Sequence, residues 1–167
     1  MAPSEQITVP ALQELLNERA LAGEWILDPS RSTVSLKSRS MWGLAPVNGV
    51  FRQVTGKGAV SPTGEVSGAI SVVAASIDTK NSRRDKHLRS ADFFDSDNHP
   101  DITFAVEGIR PSEQGVTVTG TLSLGDRARP VTFDGTAAVN GDAEVWLDAE
   151  VHINRADFGR TWNKLGV

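Results

Sequence analysis

Cysteine and tyrosine are both absent from this chain of 167 residues. Without cysteine, the protein can form no disulfide bond, no thiolate zinc site and no cysteine nucleophile. It also lacks an apolar run of roughly 18 residues, the length that predicts a membrane-spanning helix. Residues 1–25 have neither the basic start nor the unbroken apolar stretch of a secretory signal. We therefore expect a cytoplasmic protein, with a periplasmic or secreted location left open.

Positive charge is in slight deficit, since 17 lysines and arginines face 21 aspartates and glutamates. The net charge of −4 opposes binding to a phosphate backbone, so we expect no nucleic-acid partner. Hydrophobic residues make up 39% of the chain, which is enough to form an ordinary globular core. The length fits one compact domain.

Sequence motifs for catalysis and nucleotide binding are missing as well. The chain has no Gly-x-Ser-x-Gly elbow, no Walker loop and no Gly-x-Gly-x-x-Gly fingerprint. The stretch "TGKG" at residues 55–58 lacks the rest of a phosphate loop, and it predicts a kink or bulge in a strand. His87, His99 and His152 lack the close spacing of metal ligands. We therefore expect neither a metal site nor a cofactor.

Helical periodicity occurs in one long stretch, residues 9–22, where three leucines repeat at helical spacing. Its single narrow apolar stripe predicts a helix that packs on another part of the protein or on a partner. We therefore divide the chain into an N-terminal helical segment, residues 1–23, and a single domain, residues 24–167.

From Trp25 onward the hydrophobic pattern changes to a period of two residues. Seven or eight segments alternate apolar with polar or small residues, and turn sequences such as "SPTG", "PSEQG" and "NGD" separate them. This spacing predicts an all-β protein built as an antiparallel barrel or sandwich. A barrel of about eight strands can be filled by side chains or can hold one small ligand, and composition leaves both open.

The stretch "RRDKHLRSADFFDSDNHP", residues 83–100, has the most unusual composition in the chain. Its basic and acidic residues largely offset each other, so a nucleic-acid patch is not expected. The pattern predicts a short helix that is capped by Ser82. Asp85 stands four residues before Arg89, the spacing of a helical ion pair.

Phe93 and Phe94 follow this short helix. We interpret the segment as a helix that closes one end of a barrel, with both phenylalanines turned toward an apolar interior. A small acid–base site around Asp85, His87 and Asp95 is the alternative, because neighbouring carboxylates can supply a proton when burial shifts one of them.

Five motifs stand in order along the chain: "WILDPSRSTVSL", "MWGLAPVNGVF", "AASIDTKNSRRDKHLRSADFFDSDNHPDITF", "VTGTLSLGDRARPVTF" and "INRADFGRTWN". This succession resembles the YceI-like family of polyisoprenoid-binding proteins from about Trp25 to Trp162. The resemblance implies a lipocalin-like antiparallel β-barrel with an elongated apolar interior. It implies binding of a long isoprenoid, a prenyl-quinone-like lipid or a fatty-acid amide without chemical conversion, and a possible homodimer.

The chain departs from the family pattern at Arg39 and Ser40, where members often place a histidine. The family normally continues past "DFGRTWN" into a last strand, whereas this sequence stops at Val167. Either the last strand is missing from this sequence, or the barrel closes differently and leaves an edge that a partner could cover. An interaction module that uses the N-terminal helix and this edge is the second alternative to lipid binding.

A prenyl chain has no polar groups, so its binding would come from burial of apolar area, worth roughly 25 cal/mol per Å². We therefore expect a dry tube, although each lining residue could equally be ordinary barrel core. We place Trp42, Phe93 and Phe94 at the mouth of the tube, with Arg84 and His87 near a lipid head group. The predicted lining residues are Val34, Leu36, Phe51, Ile70, Val72, Ile102, Phe104, Leu122, Phe133, Val145 and Leu147.

Overall fold

A computed structural model describes residues 5–6, 21–38, 47–113, 115–140 and 144–153. These residues form eleven β-strands, one α-helix and two short 3-10 turns. The 3-10 turns are Pro29–Arg31 and Ala74–Ser76. The other elements are β1 (Glu5–Gln6), β2 (Gly23–Ile26), β3 (Val34–Ser38), β4 (Val47–Phe51), β5 (Val54–Val60), β6 (Val66–Val73), β7 (Ile77–Asp78), α1 (Ser82–Arg89), β8 (Asp101–Ser112), β9 (Gly115–Leu124), β10 (Arg127–Asn140) and β11 (Glu144–Ala149).

The main sheet has the strand order β1-β10-β9-β8-β6-β5-β2, and β11 pairs with β10. All of these pairings are antiparallel, and the sheet curls into a half-barrel. A second sheet contains β3, β4 and β7 in that order. The prediction of an all-β, antiparallel, barrel-type fold is confirmed. Residues 9–20 of the predicted N-terminal helix lie outside the described residues.

The alternating sequence pattern places apolar side chains on one face of the main sheet. Ile70, Phe104 and Leu122 lie side by side across three strands, because Ile70 pairs with Phe104 and Phe104 pairs with Leu122. The opposite face is polar at the neighbouring positions, where the Ser71 and Thr103 hydroxyl oxygens are 2.9 Å apart. A half-covered antiparallel sheet has this pattern, with one face buried and one in contact with water.

The short helix predicted between strands is confirmed as α1, but its predicted cap is wrong. Asn81 has the extended backbone of a cap residue, and its side-chain oxygen accepts a hydrogen bond from the Arg84 amide at 3.1 Å. Ser82 is the first residue inside the helix. Asparagine and serine are comparably good cap residues, so their adjacency left the choice open in the sequence.

The kink predicted at residues 55–58 is also wrong, because β5 runs through them in unbroken register with β2 and β6. The glycines there allow close packing instead: a Cβ atom on Gly56 would lie 3.1 Å from the Leu27 Cβ. The bulge lies in β8, where the register with β9 shifts between Val106 and Gly108.

Arg31 links the early turn of the chain to β11, 113 residues away. Its guanidinium forms an ion pair with Glu144 and lies 5.0 Å from the centre of the Trp146 ring. The hydrogen bond to the Glu144 carboxylate raises the pKa of Arg31. Within the described residues, no strand pairing connects the turn at Arg31 to β11, so this side-chain contact joins the two segments.

No helix in the part of the chain that the structure describes has both the length and the apolar character to cross a membrane.

Candidate ligand-binding face

Two groups of apolar side chains pack against the apolar face of the main sheet. The first, which we call the helix-side cluster, packs beneath α1 and is filled by buried residues. Its members are Phe51, Val54, Val72, Ala74, Ile77, Leu88, Phe93, Phe94 and Leu124. Leu88 of α1 and Ile77 of β7 are almost fully buried, so the helix is firmly seated on this end of the sheet.

Phe93 and Phe94 are buried in this cluster, with 4% and 8% of their surfaces exposed. The Phe94 ring lies 6.0 Å from the ring of Phe51, in a tilted arrangement. Both phenylalanines therefore face the apolar interior, as the sequence predicted. They fill this end of the half-barrel, and their assignment to a ligand mouth stays a prediction.

Polar groups hold the helix in place above the cluster. The buried Asp85 carboxylate accepts hydrogen bonds from the Thr79 amide at 2.9 Å and the Thr79 hydroxyl at 2.6 Å. Arg89 donates from Nε to the Ala75 carbonyl at 2.9 Å. The predicted ion pair between Asp85 and Arg89 does not form, because both side chains bond to the segment preceding the helix.

Arg84 and His87, the predicted head-group contacts, lie on α1. His87 Nε2 is 3.4 Å from the Asp92 carboxylate, and its ring meets the Phe93 ring edge-on at 5.8 Å between centres. Because the helix-side cluster fills the space beneath α1, a head group held by Arg84 and His87 would have to lie outside that cluster.

The three side chains of the alternative acid–base site each contact a different residue. Asp85 bonds to Thr79, His87 faces Asp92, and Asp95 accepts hydrogen bonds from the Asn98 side chain at 3.1 Å. Within the described ranges, no three histidine, aspartate or glutamate side chains are grouped to hold a metal ion.

The second group, which we call the far cluster, continues along the same face of the sheet. Its buried members are Val116, Val118 and Ala137. Its larger members are only half-buried: Leu21, Val60, Phe104, Val106, Ile109 and Phe133. The rings of Phe104 and Phe133 lie 5.4 Å apart and tilted. The far cluster therefore leaves part of its apolar surface exposed, whereas the apolar surface of the helix-side cluster is already buried.

The predicted lining residues divide between these two clusters. Phe51 and Val72 are buried in the helix-side cluster, and five others pack against it: Val34, Leu36, Ile70, Ile102 and Leu122. Phe104 and Phe133 belong to the far cluster. Trp42 lies outside the described residues.

The last two predicted lining residues are on β11. Val145 is half-buried, whereas Leu147 is 53% exposed. Leu147 therefore does not line an enclosed space in the described part of the chain. The physical reason is its position, since β10 is the only partner of β11 among the described strands and Leu147 lies opposite the small side chain of Ala137.

The sequence-based assignment missed several residues of the far cluster, including Val106, Ile109, Val116 and Val118. The alternation in "GVTVTGTLSL" carried the signal for Val116 and Val118, which share a face with Leu122. Ile109 could not be assigned in the same way, because the β8 bulge changes the phase of the alternation before it.

A groove of about 600 Å³ opens beside the far cluster, between the β5–β6 hairpin and the bulged part of β8. The apolar side chains of Val60, Val66 and Ile109 line it together with the charged side chains of Glu107 and Arg110.

The family model of the YceI-like domain matches residues 25–167 of the chain. Protein YceI from Escherichia coli O157:H7 is 33% identical over 95 residues, which cover 53% of this chain and 49% of that protein. The chain thus spans about half the length of the curated relatives it matches.

Solved structures of three bacterial proteins share the fold. Burkholderia cenocepacia BcnA matches with a TM-score of 0.70 and 27% identity, covering 79% of this chain and 83% of that one. The Campylobacter jejuni YceI protein matches with a TM-score of 0.61 and 25% identity, covering 82% and 84%. A polyisoprenoid binding domain from Saccharophagus degradans matches with a TM-score of 0.63, covering 84% and 82%, and at 13% identity shows the fold alone. Because the family model covers most of the sequence, this chain belongs to the YceI-like family.

Proposed function

We propose that this domain binds one long-chain apolar or amphiphilic lipid on the apolar face of its half-barrel and does not convert it chemically. A polyisoprenoid, a prenyl-quinone-like lipid and a fatty-acid-amide-like lipid are the candidate classes. The observation that carries the proposal is the far cluster, where large apolar side chains remain half-buried beside a fully packed core. The Saccharophagus degradans neighbour, a polyisoprenoid binding domain, supports the same class of ligand.

The two clusters differ in what they can offer a ligand. Side chains already fill the helix-side cluster, and a lipid could enter it only by displacing Phe51, Phe93 or Phe94 at a large cost in packing. A lipid that covers the half-buried residues of the far cluster would gain binding free energy of roughly 25 cal/mol per Å² of apolar area removed from water. We therefore place the lipid chain against the far cluster. The packed side chains of the helix-side cluster prevent the chain from extending further.

Direct identification of the ligand is the first test. Purified protein is extracted with organic solvent, and the extract is examined by mass spectrometry. We expect a long-chain apolar or amphiphilic lipid in stoichiometric amount. The proposal would be contradicted if the extract contains no lipid and the protein also fails to bind added parinaryl alcohol, a polyene lipid.

A matched pair of variants in β8 tests the location. Phe104→Gln places an amide in the far cluster, whereas Ala105→Gln places the same side chain on the exposed opposite face. Burial of a large apolar side chain is worth about 1.5 to 3 kcal/mol, so we expect Phe104→Gln to weaken binding of parinaryl alcohol roughly tenfold or more. Ala105→Gln should bind as the parent protein does, in a fluorescence titration on protein whose folding has been checked by circular dichroism. Equal affinities of the two variants would place the lipid elsewhere.

Self-association through a sheet edge is the second candidate function. Among the described strands, β2 pairs with β5 alone, and Ile26 on this edge strand is 83% exposed. An exposed apolar edge strand favours pairing with another chain. Sedimentation velocity should show a homodimer that Ile26→Lys dissociates while lipid binding is kept. A parent protein that sediments as a monomer would argue against this candidate.

The cytoplasmic location stays a prediction, and fractionation of the native host with detection of the full-length protein tests it.

A further inference from the structure

We infer that the lipid enters the far cluster sideways, through a gap in the wall of the half-barrel between β6 and β8. We call this gap the lateral notch and define it by Val60, Glu65, Val66, Glu107, Ile109 and Arg110. The inference rests on the proposed lipid binding and adds the route of entry and the kind of head group that the route accepts.

The backbone pairing creates the notch. The ladder between β6 and β8 ends at the pair Gly68 and Val106. Beyond it, β6 continues toward the hairpin as far as Val66, and β8 continues to Ser112, where β9 is its only partner among the described strands. The bulge between Val106 and Gly108 coincides with this separation. Bulges bend a strand and end its regular pairing, which accounts for the divergence of β8 from β6.

Residues from both faces of the sheet border the notch, which lies just beyond the end of the ladder between β6 and β8. Val60 and Ile109 belong to the far cluster on the apolar face, and both border the groove. Glu107 also borders it but lies on the opposite face, where its carboxylate accepts a hydrogen bond from the Thr121 hydroxyl at 2.8 Å. The notch therefore adjoins the far cluster on one side and the polar face of the sheet on the other.

The space in the notch suits a lipid chain. Its volume of about 600 Å³ lies within the range of small-molecule sites, on the order of 300 to 1,000 Å³. At Gly108, in the wall of the notch, no heavy atom lies within 4 Å of where a Cβ atom would be. A chain that enters between β6 and β8 would meet Val60 and Ile109 of the far cluster without displacing the packed helix-side cluster.

Charge at the outer rim selects the head group. Glu65 and Glu107 supply two carboxylates against the single guanidinium of Arg110. This balance disfavours an anionic head such as a carboxylate or a diphosphate, whereas a hydroxyl or an amide can accept and donate hydrogen bonds there. The structure thus assigns to the notch an amphiphile with an uncharged polar head.

Cross-linking the notch tests the route, and the absence of cysteine makes the chemistry selective. Ser67→Cys with Glu107→Cys places two thiols on opposite walls of the notch. Ala69→Cys with Ala105→Cys places two thiols across the same two strands where they are paired, and serves as the matched control. Both double variants are treated with the same short bismaleimide, and uptake of parinaryl alcohol is followed by stopped-flow fluorescence.

We expect the bridged notch variant to take up parinaryl alcohol roughly tenfold more slowly or worse, as gating of a site by a closed segment does, while the bridged control keeps the parent rate. The parent protein should also bind parinaryl alcohol more tightly than parinaric acid. Normal uptake through the bridged notch would overturn the route while leaving the proposed function intact. A preference for parinaric acid would overturn the head-group assignment. If the parent protein binds neither probe, the proposed function fails and the route fails with it.

Discussion

The Asp85 carboxylate accepts two hydrogen bonds from one residue, Thr79, through its backbone amide at 2.9 Å and its hydroxyl at 2.6 Å. Both residues are buried, and they join the body of α1 to the segment that precedes it. A residue that the sequence offered as a catalytic acid thus positions the helix over the core. The hydrogen bonds between Asp85 and Thr79 thereby hold Leu88 of α1 and Ile77 of β7 in the helix-side cluster.

Replacement of Asp85 by alanine should destabilise the protein markedly. The change leaves the buried Thr79 amide and hydroxyl without their acceptor, and hydrogen bonds to a charged group are worth about 1.5 to 3 kcal/mol. We expect a loss of about 2 to 3 kcal/mol in the free energy of unfolding, measured by urea denaturation. Asp97→Ala, in the exposed turn after the helix, is the control and should change little. Equal stabilities of the two variants would show that the tie to Thr79 does not hold the helix.

Phe94→Ala should remove a large part of the helix-side cluster. Phe94 is buried against Phe51, and phenylalanine-to-alanine changes in a core cost about 3 to 5 kcal/mol. Phe94→Leu keeps most of the volume and should cost much less. Affinity for parinaryl alcohol, measured on the folded fraction, should stay at the parent value in Phe94→Leu, because the lipid lies on the far cluster. A large loss of affinity in Phe94→Leu would move the proposed lipid toward α1.

Two glycines in the paired strands β8 and β9 should respond oppositely to alanine. A Cβ atom on Gly120 would collide with the Ala105 carbonyl oxygen and lie 2.6 Å from the Phe104 ring, whereas Gly108 has open space at the same position. We expect Gly120→Ala to lose roughly 1 to 3 kcal/mol or more through overpacking, and Gly108→Ala to be neutral or slightly stabilising. Thermal unfolding of both variants checks this, and similar melting temperatures would contradict the packing around Gly120.

Stability at acidic pH should report on Asp78. The backbone hydrogen bond from Lys80 and the hydrogen bonds from the Arg52 guanidinium lower the pKa of Asp78 from 3.8 to about 2. Because the folded-state pKa lies below the unfolded one, the stabilising contribution is complete above the ordinary value and disappears as the pH falls toward 2. Urea midpoints of the parent and of Asp78→Asn should therefore converge as the pH falls from about 4 to about 2.

Arg52→Met separates the two causes of the Asp78 shift. It removes the guanidinium but leaves the Lys80 backbone amide in place, so the pH dependence should be reduced without disappearing. Added salt should weaken the part that depends on Arg52, because the ion pair is exposed. If Asp78→Asn follows the parent curve throughout, the hydrogen bonds to the carboxylate contribute nothing to stability.

The alternation of apolar and polar residues carried most of the fold. Ile102 and Phe104 were predicted from the sequence to line the apolar interior, and both lie among the packed clusters. Local patterns also predicted α1 and the burial of Phe93 and Phe94. These features depend on side-chain period and on residues close together in the chain, which a single sequence contains.

Features that depend on contacts between residues far apart in the chain could not be predicted from the sequence pattern. The β8 bulge changes the phase of the alternation, so Ile109 was missed as a member of the far cluster. The exposure of Leu147 depends on which strand lies beside β11, and the pairing of Arg31 with Glu144 spans 113 positions. The partners of Asp85 and Arg89 were misassigned because both side chains bond outside their own helix.

The sequence by itself determined an antiparallel β-protein with one apolar sheet face, because a period of two residues fixes which side chains share a face. Only the tertiary structure decided that this face is divided into a filled cluster beneath α1 and a half-buried cluster beyond it. That division depends on where α1 packs and where β6 and β8 separate, and both follow from contacts between residues far apart in the chain.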